Sequence, residues 1–187
     1  MEEIELIRNV QEGNMQAFEQ LFERYKYKAM RTAYLLTRNK YTSEDIVQEA
    51  FTTCYLSIKS LKSPEYFKTW FFKLLTRIAW RYMKKENTLI PTEEINEVIE
   101  KKQDLTIPNE IEVRETKSEI YKEVLKLDYK LQTTIVLYYY NELSVKEIAK
   151  VMGCLEGTVK SRLHTARRKL KVSLIEESRI KREAFGL

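Results

Sequence analysis

A chain of 187 residues that is 43% hydrophobic and 33% charged suits one ordinary globular domain or two small ones, with long solvated helical faces. Four glycines and three prolines are too few for the frequent turns of sandwiches and barrels, which leaves helices joined by short loops and an all-α fold. The net charge of +5 only weakly favours an anionic partner; its distribution along the chain says more.

Residues 2–11 predict a short helix that stops near Gly13 and Asn14. A longer helix follows, with Phe18, Leu21, Phe22, Tyr25, Ala29 and Ala33 at spacings of three and four. A break at 39–43 leads to a third helix. Ser43 is its expected N-cap, Glu44 and Asp45 sit in the positive first turn, and Ile46, Val47, Ala50, Phe51, Cys54, Tyr55 and Ile58 form its apolar stripe. Pro64 suits the first turn of a fourth helix, which runs to about Lys85.

That fourth helix divides into two faces. Phe67, Phe71, Leu74, Leu75, Ile78 and Tyr82 share an arc expected to be buried, while Trp70, Lys73, Arg77, Trp80, Arg81 and Lys84 share the adjacent one. Residues 68–85 carry six bases and no acid. Aromatic rings interleaved with cations suit single-stranded nucleic acid, because rings stack on bases for roughly 1–3 kcal/mol each while Lys and Arg follow the phosphates. Taken alone, an aromatic stripe of this kind is equally compatible with a core.

Residues 87–117 hold Pro91, Pro108 and eight acids against four bases, with weak apolar periodicity. They read as an acidic linker between a domain over 1–86 and another over 118–187. A surface loop within one domain is the alternative, and its length argues against that.

The sharpest local signal lies at 144–172. Ser144 and Glu147 fit a capping box, Val145, Ile148, Ala149 and Met152 line one helix face, and Gly153 stands where a sharp turn needs left-handed backbone angles. A second helix begins near Gly157, with Val159, Leu163, Ala166 and Leu170 on a narrow apolar arc. The other side presents Thr158, Lys160, Ser161, His164, Thr165, Arg168 and Lys171, flanked by Arg162, Lys169 and Arg167. A helix-turn-helix with such a face can enter a major groove, its first turns at base edges and its later cations at phosphates. The plainer alternative is a solvated basic helix. His164 has no flanking His or acid that would make it a ligand or a base.

Cys54 and Cys154 are far apart without metal-type spacing, which favours a reduced compartment. The first residues lack the basic and apolar regions of a signal peptide, and no stretch reaches membrane-span length, so a cytoplasmic location is expected. No metal cluster, phosphate loop or nucleophile–base pair stands out. Neither catalysis nor a cofactor is expected.

These motifs resemble the sigma factors of bacterial RNA polymerase, in particular the two-domain extracytoplasmic-function (ECF) group. Ser43-Glu-Asp-Ile-Val-Gln-Glu-Ala-Phe51 is similar to the family's polymerase-binding helix. Phe67-Lys-Thr-Trp-Phe-Phe-Lys73 is similar to the start of its −10-reading helix. Residues Glu147-Ile-Ala149, Gly153 and Gly157-Thr-Val-Lys-Ser-Arg-Leu163 are similar to its −35-reading helix-turn-helix.

The resemblance implies that Asp45, Ile46, Gln48, Glu49 and Phe51 dock on the clamp of core polymerase. It implies that Lys62 and Tyr66, with Trp70, Lys73, Arg77, Trp80, Arg81 and Lys84, hold the melted −10 strand. Thr158, Lys160, Ser161, Arg162, His164, Thr165, Arg167, Arg168 and Lys171 then read duplex −35 DNA. A helix over 119–139, bearing Leu125, Leu127, Leu131, Ile135 and Leu137, packs beneath and helps meet the polymerase flap. An anti-sigma factor, membrane-linked in the family's usual manner, is the implied inhibitor.

Four positions depart from the family pattern: Arg77 and Arg81 where Asn and Asp are common, Leu155 in place of a capping Ser, and Thr165 where Arg is frequent. Two rival functions exist. An operator-binding helix-turn-helix regulator accounts for 118–174 and leaves 43–85 idle, and an anti-sigma-like adaptor binds polymerase without DNA.

Overall fold

The computed structural model describes the backbone of residues 2–89 and 115–185, with side chains over 2–85 and 120–175. Every regular element among the described residues is helical. They form two compact units, the first over residues 2–89 with 150–153 and the second over 115–149 and 154–185.

The first unit contains α1 (Glu3–Gln11), α2 (Met15–Thr37), α3 (Lys40–Ser57) and α4 (Phe67–Leu89), with short 3-10 turns at Ile58–Ser60 and Pro64–Tyr66 between the last two. Gly13 takes φ +97, a conformation a side chain would strain. Asn14 then caps α2 by accepting the Ala17 N–H at 3.0 Å.

α3 starts earlier than its sequence suggested. Arg38 ends α2 in a left-handed conformation at φ 58, and Asn39 becomes the cap, accepting the Thr42 N–H at 3.1 Å. Ser43 lies inside the helix, fully buried. Its hydroxyl donates to the Asn39 carbonyl at 2.6 Å and meets the Thr37 hydroxyl at 2.9 Å. A short polar side chain here fastens α3 to the end of α2.

The core of this unit is aromatic. Phe71 on α4 packs against Tyr25 of α2 (ring centroids 5.5 Å), Phe51 of α3 (5.0 Å), Phe67 (5.8 Å) and Phe72 (5.6 Å). Tyr25 remains in an apolar core because its hydroxyl donates to Glu3 Oε1 at 2.9 Å. Burial, and then the Glu3 carboxylate, push its ionisation well above the ordinary range. The buried arc of α4 holds Phe67, Phe71, Leu75 and Ile78 as expected, and adds Phe72, Thr76 and Ala79, whereas Leu74 and Tyr82 are only half-buried.

In the second unit the helix expected over 119–139 is broken. α5 (Glu115–Lys126) and α6 (Tyr129–Ile135) are separate, and a π-helical turn at Val136–Tyr140 extends α6. Asp128 makes the break by accepting the N–H groups of Lys130 and Leu131, each at 3.2 Å. Every residue from Leu131 to Leu137 is buried, Gln132, Thr133 and Thr134 included. Thr133 and Thr134 tolerate this because their hydroxyls donate back to the Tyr129 and Lys130 carbonyls at 2.6 and 2.7 Å. α6 is therefore the central post of the unit, with α5 and the last two helices, α7 (Val145–Met152) and α8 (Glu156–Phe185), completing it.

Most of the acidic span 87–117 falls on residues 90–114, outside the described residues. α4 continues past Lys85 to Leu89 and α5 begins at Glu115, so helix enters that span from both ends. Among the described residues, no helix is long and apolar enough to cross a membrane.

Candidate nucleic-acid interface

The second unit carries a helix-turn-helix whose local chemistry follows its sequence closely. The Ser144 N–H donates to Glu147 Oε2 at 2.8 Å and the Glu147 N–H donates to Ser144 Oγ at 3.3 Å, so each end of the capping box satisfies the other. α7 ends where Gly153 turns at φ +61, and the Cys154 N–H closes the turn on the Ala149 carbonyl at 3.0 Å. Ile148, Ala149, Val159, Leu163 and Ala166 are buried, which seats α8 on α7's side of the core. The exposed Leu155 offers the start of α8 only its carbonyl, which accepts from Thr158 and Val159.

None of the nine α8 residues expected at duplex DNA is buried. Lys160, Ser161, His164, Arg167, Arg168 and Lys171 are exposed, and Thr158, Arg162 and Thr165 half-exposed. Two are already engaged within the protein. Arg162 Nη1 points to the Cys154 sulfur at 3.7 Å. Arg167 Nε donates to the Tyr139 hydroxyl at 2.8 Å, and its guanidinium lies over the Tyr138 and Tyr139 rings at 5.5 and 5.6 Å. Arg167 is thus held by the π-helical turn at Val136–Tyr140.

On the first unit, Lys73, Arg77, Arg81 and Lys84 project from α4, with Trp70 and Trp80 half-exposed beside them. Trp70 lies tilted against Phe67, at 6.0 Å between centroids. Lys62 and Tyr66 are exposed on the loop leading into α4. Arg81 pairs with the Glu49 carboxylate of α3. Two residues assigned by the sequence to different surfaces therefore meet, and the Arg81 departure from the family pattern has an acidic partner. Burial, followed by the Glu49 and Asp45 carboxylates, raises the ionisation of the adjacent Tyr82 phenol and keeps it protonated.

α3 corrects the expected docking set. Ile46 and Phe51 are core residues, 0% and 4% exposed, because the matched segment winds through both faces of a helix. Asp45 and Gln48 are exposed and Glu49 half-exposed. Tyr41 and Leu56, both 76% exposed, extend the face, so that Tyr41, Asp45, Gln48, Thr52 and Leu56 follow at spacings of four, three, four and four. The signal for Tyr41 and Leu56 was present in the sequence as apolar residues lying outside the core arc. Cys54 sits beneath this face, buried, and desolvation pushes its thiol up to about 12, which leaves it an inert packing group.

Comparison with known proteins matches this architecture. Residues 21–88 fit the family model for sigma-70 region 2, and residues 117–170 fit that for sigma-70 region 4. The ECF RNA polymerase sigma factor SigW of Bacillus subtilis is 31% identical over 176 residues, covering 90% of this chain and 94% of that one. The ECF RNA polymerase sigma-E factor of Haemophilus influenzae is 33% identical over 172 residues, covering 87% and 89%. The fold is that of CnrH, solved in complex with the cytosolic domain of CnrY (TM-score 0.68, 20% identity, 93% of this chain and 97% of that one). It is also that of RpoE of Bartonella quintana, solved with the anti-sigma factor NepR (TM-score 0.65, 20% identity, 86% and 98%). A capped helix-turn-helix with a cationic face, an aromatic–cationic helix in a separate unit, and relatives matched over nearly the whole chain lead to one conclusion: this chain belongs to the ECF sigma factors of RNA polymerase, and it is an alternative sigma factor for transcription initiation.

Proposed function

We propose that the two units divide promoter recognition between them, with domains over 1–86 and 118–187 and a connecting linker over 87–117. The α8 face reads the −35 duplex, with Thr158, Lys160, Ser161, His164 and Thr165 toward the bases and Arg168 and Lys171 toward phosphates. The α4 stripe, with Lys62 and Tyr66 on the loop before it, captures the melted −10 strand. The exposed α3 face of Asp45, Gln48 and Glu49, extended by Tyr41 and Leu56, docks on the polymerase clamp. A sigma factor is an initiation factor, and we assign this chain no covalent chemistry of its own; RNA synthesis belongs to the polymerase.

The observation that carries this reading is the side-by-side projection of Trp70, Lys73, Arg77 and Lys84 from one helix whose opposite face is fully packed. Binding energy from stacking then favours bases that have left the duplex, and so drives local melting. We place this action in the cytoplasm, where polymerase and chromosome are. We also propose control by an anti-sigma factor, since RpoE of Bartonella quintana was solved with one; its link to a membrane is what the family resemblance implies.

Run-off transcription on fragments of the host genome tests the function. Core polymerase with this protein should initiate at a discrete set of sites that core enzyme alone ignores. An operator-binding regulator gives no such gain, and its absence rejects the reading.

Trp70→Ala tests the strand-capture role. Losing one stacked base costs roughly 1–3 kcal/mol, so open-complex formation should fall by about tenfold or more while −35 duplex binding holds. Equal losses in both assays would remove Trp70 from the interface.

A further inference from the structure

The loop that carries Lys62 and Tyr66 is fastened from outside by a side chain of α1. Gln11, the last residue of α1, donates through Nε2 to two backbone carbonyls, Ile58 at 3.0 Å and Leu61 at 2.7 Å. The Ile58 carbonyl also accepts the Leu61 N–H at 3.0 Å, closing a 3-10 turn. Ile58 and Leu61 side chains are buried, at 1% and 8% exposure. Lys62 follows immediately, and the Tyr66 N–H closes a second turn on the Ser63 carbonyl at 3.0 Å. The amide therefore bridges both ends of the turn from which the exposed loop departs.

Gln11 is itself held in place. Leu6, Ile7 and Val10 bury one face of α1, and α1 packs against both turns. Gly13, two residues on, turns the chain out of the helix with φ +97. A long flexible side chain normally surrenders rotamer freedom only where something is gained, and here the gain is a fixed exit direction for residues 62–66. Gln11 also precedes the residues 21–88 that fit the region 2 model, so the donor of this contact lies outside the matched segment and its two acceptors inside it.

We propose that Gln11 is a positioning residue for promoter reading: its amide sets the register of the Lys62–Tyr66 loop against the −10 strand and so sharpens base preference. This inference rests on the assignment of that loop to the −10 strand. Removing the amide leaves two carbonyls of the turn without this donor and lets the loop sample alternative exits. Bases are then held by the same residues with poorer geometry. The consequence falls on discrimination between bases before it falls on the amount of DNA bound.

The experiment uses full-length protein with core polymerase on a promoter selected in the run-off assay, with its −10 element randomised, and sequences the templates that are transcribed. Gln11→Leu, which keeps volume and removes the donor, should reduce the preference for the best −10 sequence over its single-base variants by about tenfold. Affinity for core polymerase should stay within about twofold. Gln11→Lys, which keeps an N–H donor at similar reach, should recover most of the native preference.

A Gln11→Leu protein whose preference profile matches the native one, whatever its total output, overturns the proposal, as does a Gln11→Lys protein as unselective as Gln11→Leu. Tyr66→Ala separates the two levels of the argument. If it alters the profile and Gln11→Leu does not, the positioning role alone falls. If Tyr66→Ala also leaves the profile intact, the loop does not read the strand and both readings fall.

Discussion

Phe71→Ala is expected to cost the first unit about 3–5 kcal/mol of stability, the usual range for emptying a buried Phe site. Phe71 is fully buried and touches four other rings, from α2, α3 and α4 itself. Its loss opens a cavity where three helices meet, and flat rings around it cannot close the space without abandoning their edge-to-face contacts. The measurement is unusually clean. The chain has two tryptophans, Trp70 and Trp80, both on α4, so tryptophan fluorescence during urea unfolding reports the first unit alone. With a urea dependence of about 1–3 kcal/mol per molar, the midpoint should fall by about 2 M. Because the surface proposed to read the −35 duplex belongs to the second unit, Phe71→Ala should leave duplex binding near native under conditions where the proposed core docking and −10 capture are lost. A fluorescence midpoint within about 0.3 M of native would mean that the aromatic cluster is not the mainstay of this unit.

How far the sequence foretold this arrangement depends on the range of each interaction. The capping box of Ser144 and Glu147 and the turn at Gly153 were legible because every partner lies within a few residues. Both faces of α4 were legible in outline for the same reason, since helical spacing alone sorts Phe71 from Lys73. Four features were hidden. The break at Asp128 is masked because Leu127 and Leu131 keep a spacing of four across it, so the apolar rhythm never falters while the backbone turns. The true start of α3 is masked because Asn39 is followed by three polar or aromatic residues and no apolar stripe. Ile46 and Phe51 were drawn into the docking set because a family motif is a run of residues, whereas a helix surface is every third or fourth one. The pairing of Glu49 with Arg81 spans 32 residues and depends on how α3 packs on α4, which no local pattern encodes.

The same distinction separates the basic residues of α8. By sequence, Arg167, Arg168 and Lys171 were equivalent candidates for phosphate. In the folded unit Arg168 and Lys171 are exposed on α8, while Arg167 donates to Tyr139 and stacks on two tyrosine rings. A guanidinium already satisfied in this way has less to gain from a phosphate, and swinging it out forfeits a hydrogen bond and two cation–π contacts.

Combined Arg168→Ala and Lys171→Ala should therefore weaken −35 binding similarly across sequences for every phosphate contact removed. The slope of log K against log salt should flatten by about 0.9 for each such contact, making the combined variant the largest single effect on DNA affinity. Arg167→Ala should change that slope by much less than either Arg168→Ala or Lys171→Ala, and its cost should appear instead as a lower unfolding midpoint for the second unit. Tyr139→Phe supplies the cross-check. It removes the hydroxyl that holds Arg167 while preserving the ring, so it should reproduce part of the stability loss and leave the salt slope unchanged. An Arg167→Ala slope change equal to that of Arg168→Ala would show that the tyrosine cage opens on DNA, and that the free protein's geometry misplaces this side chain in the complex.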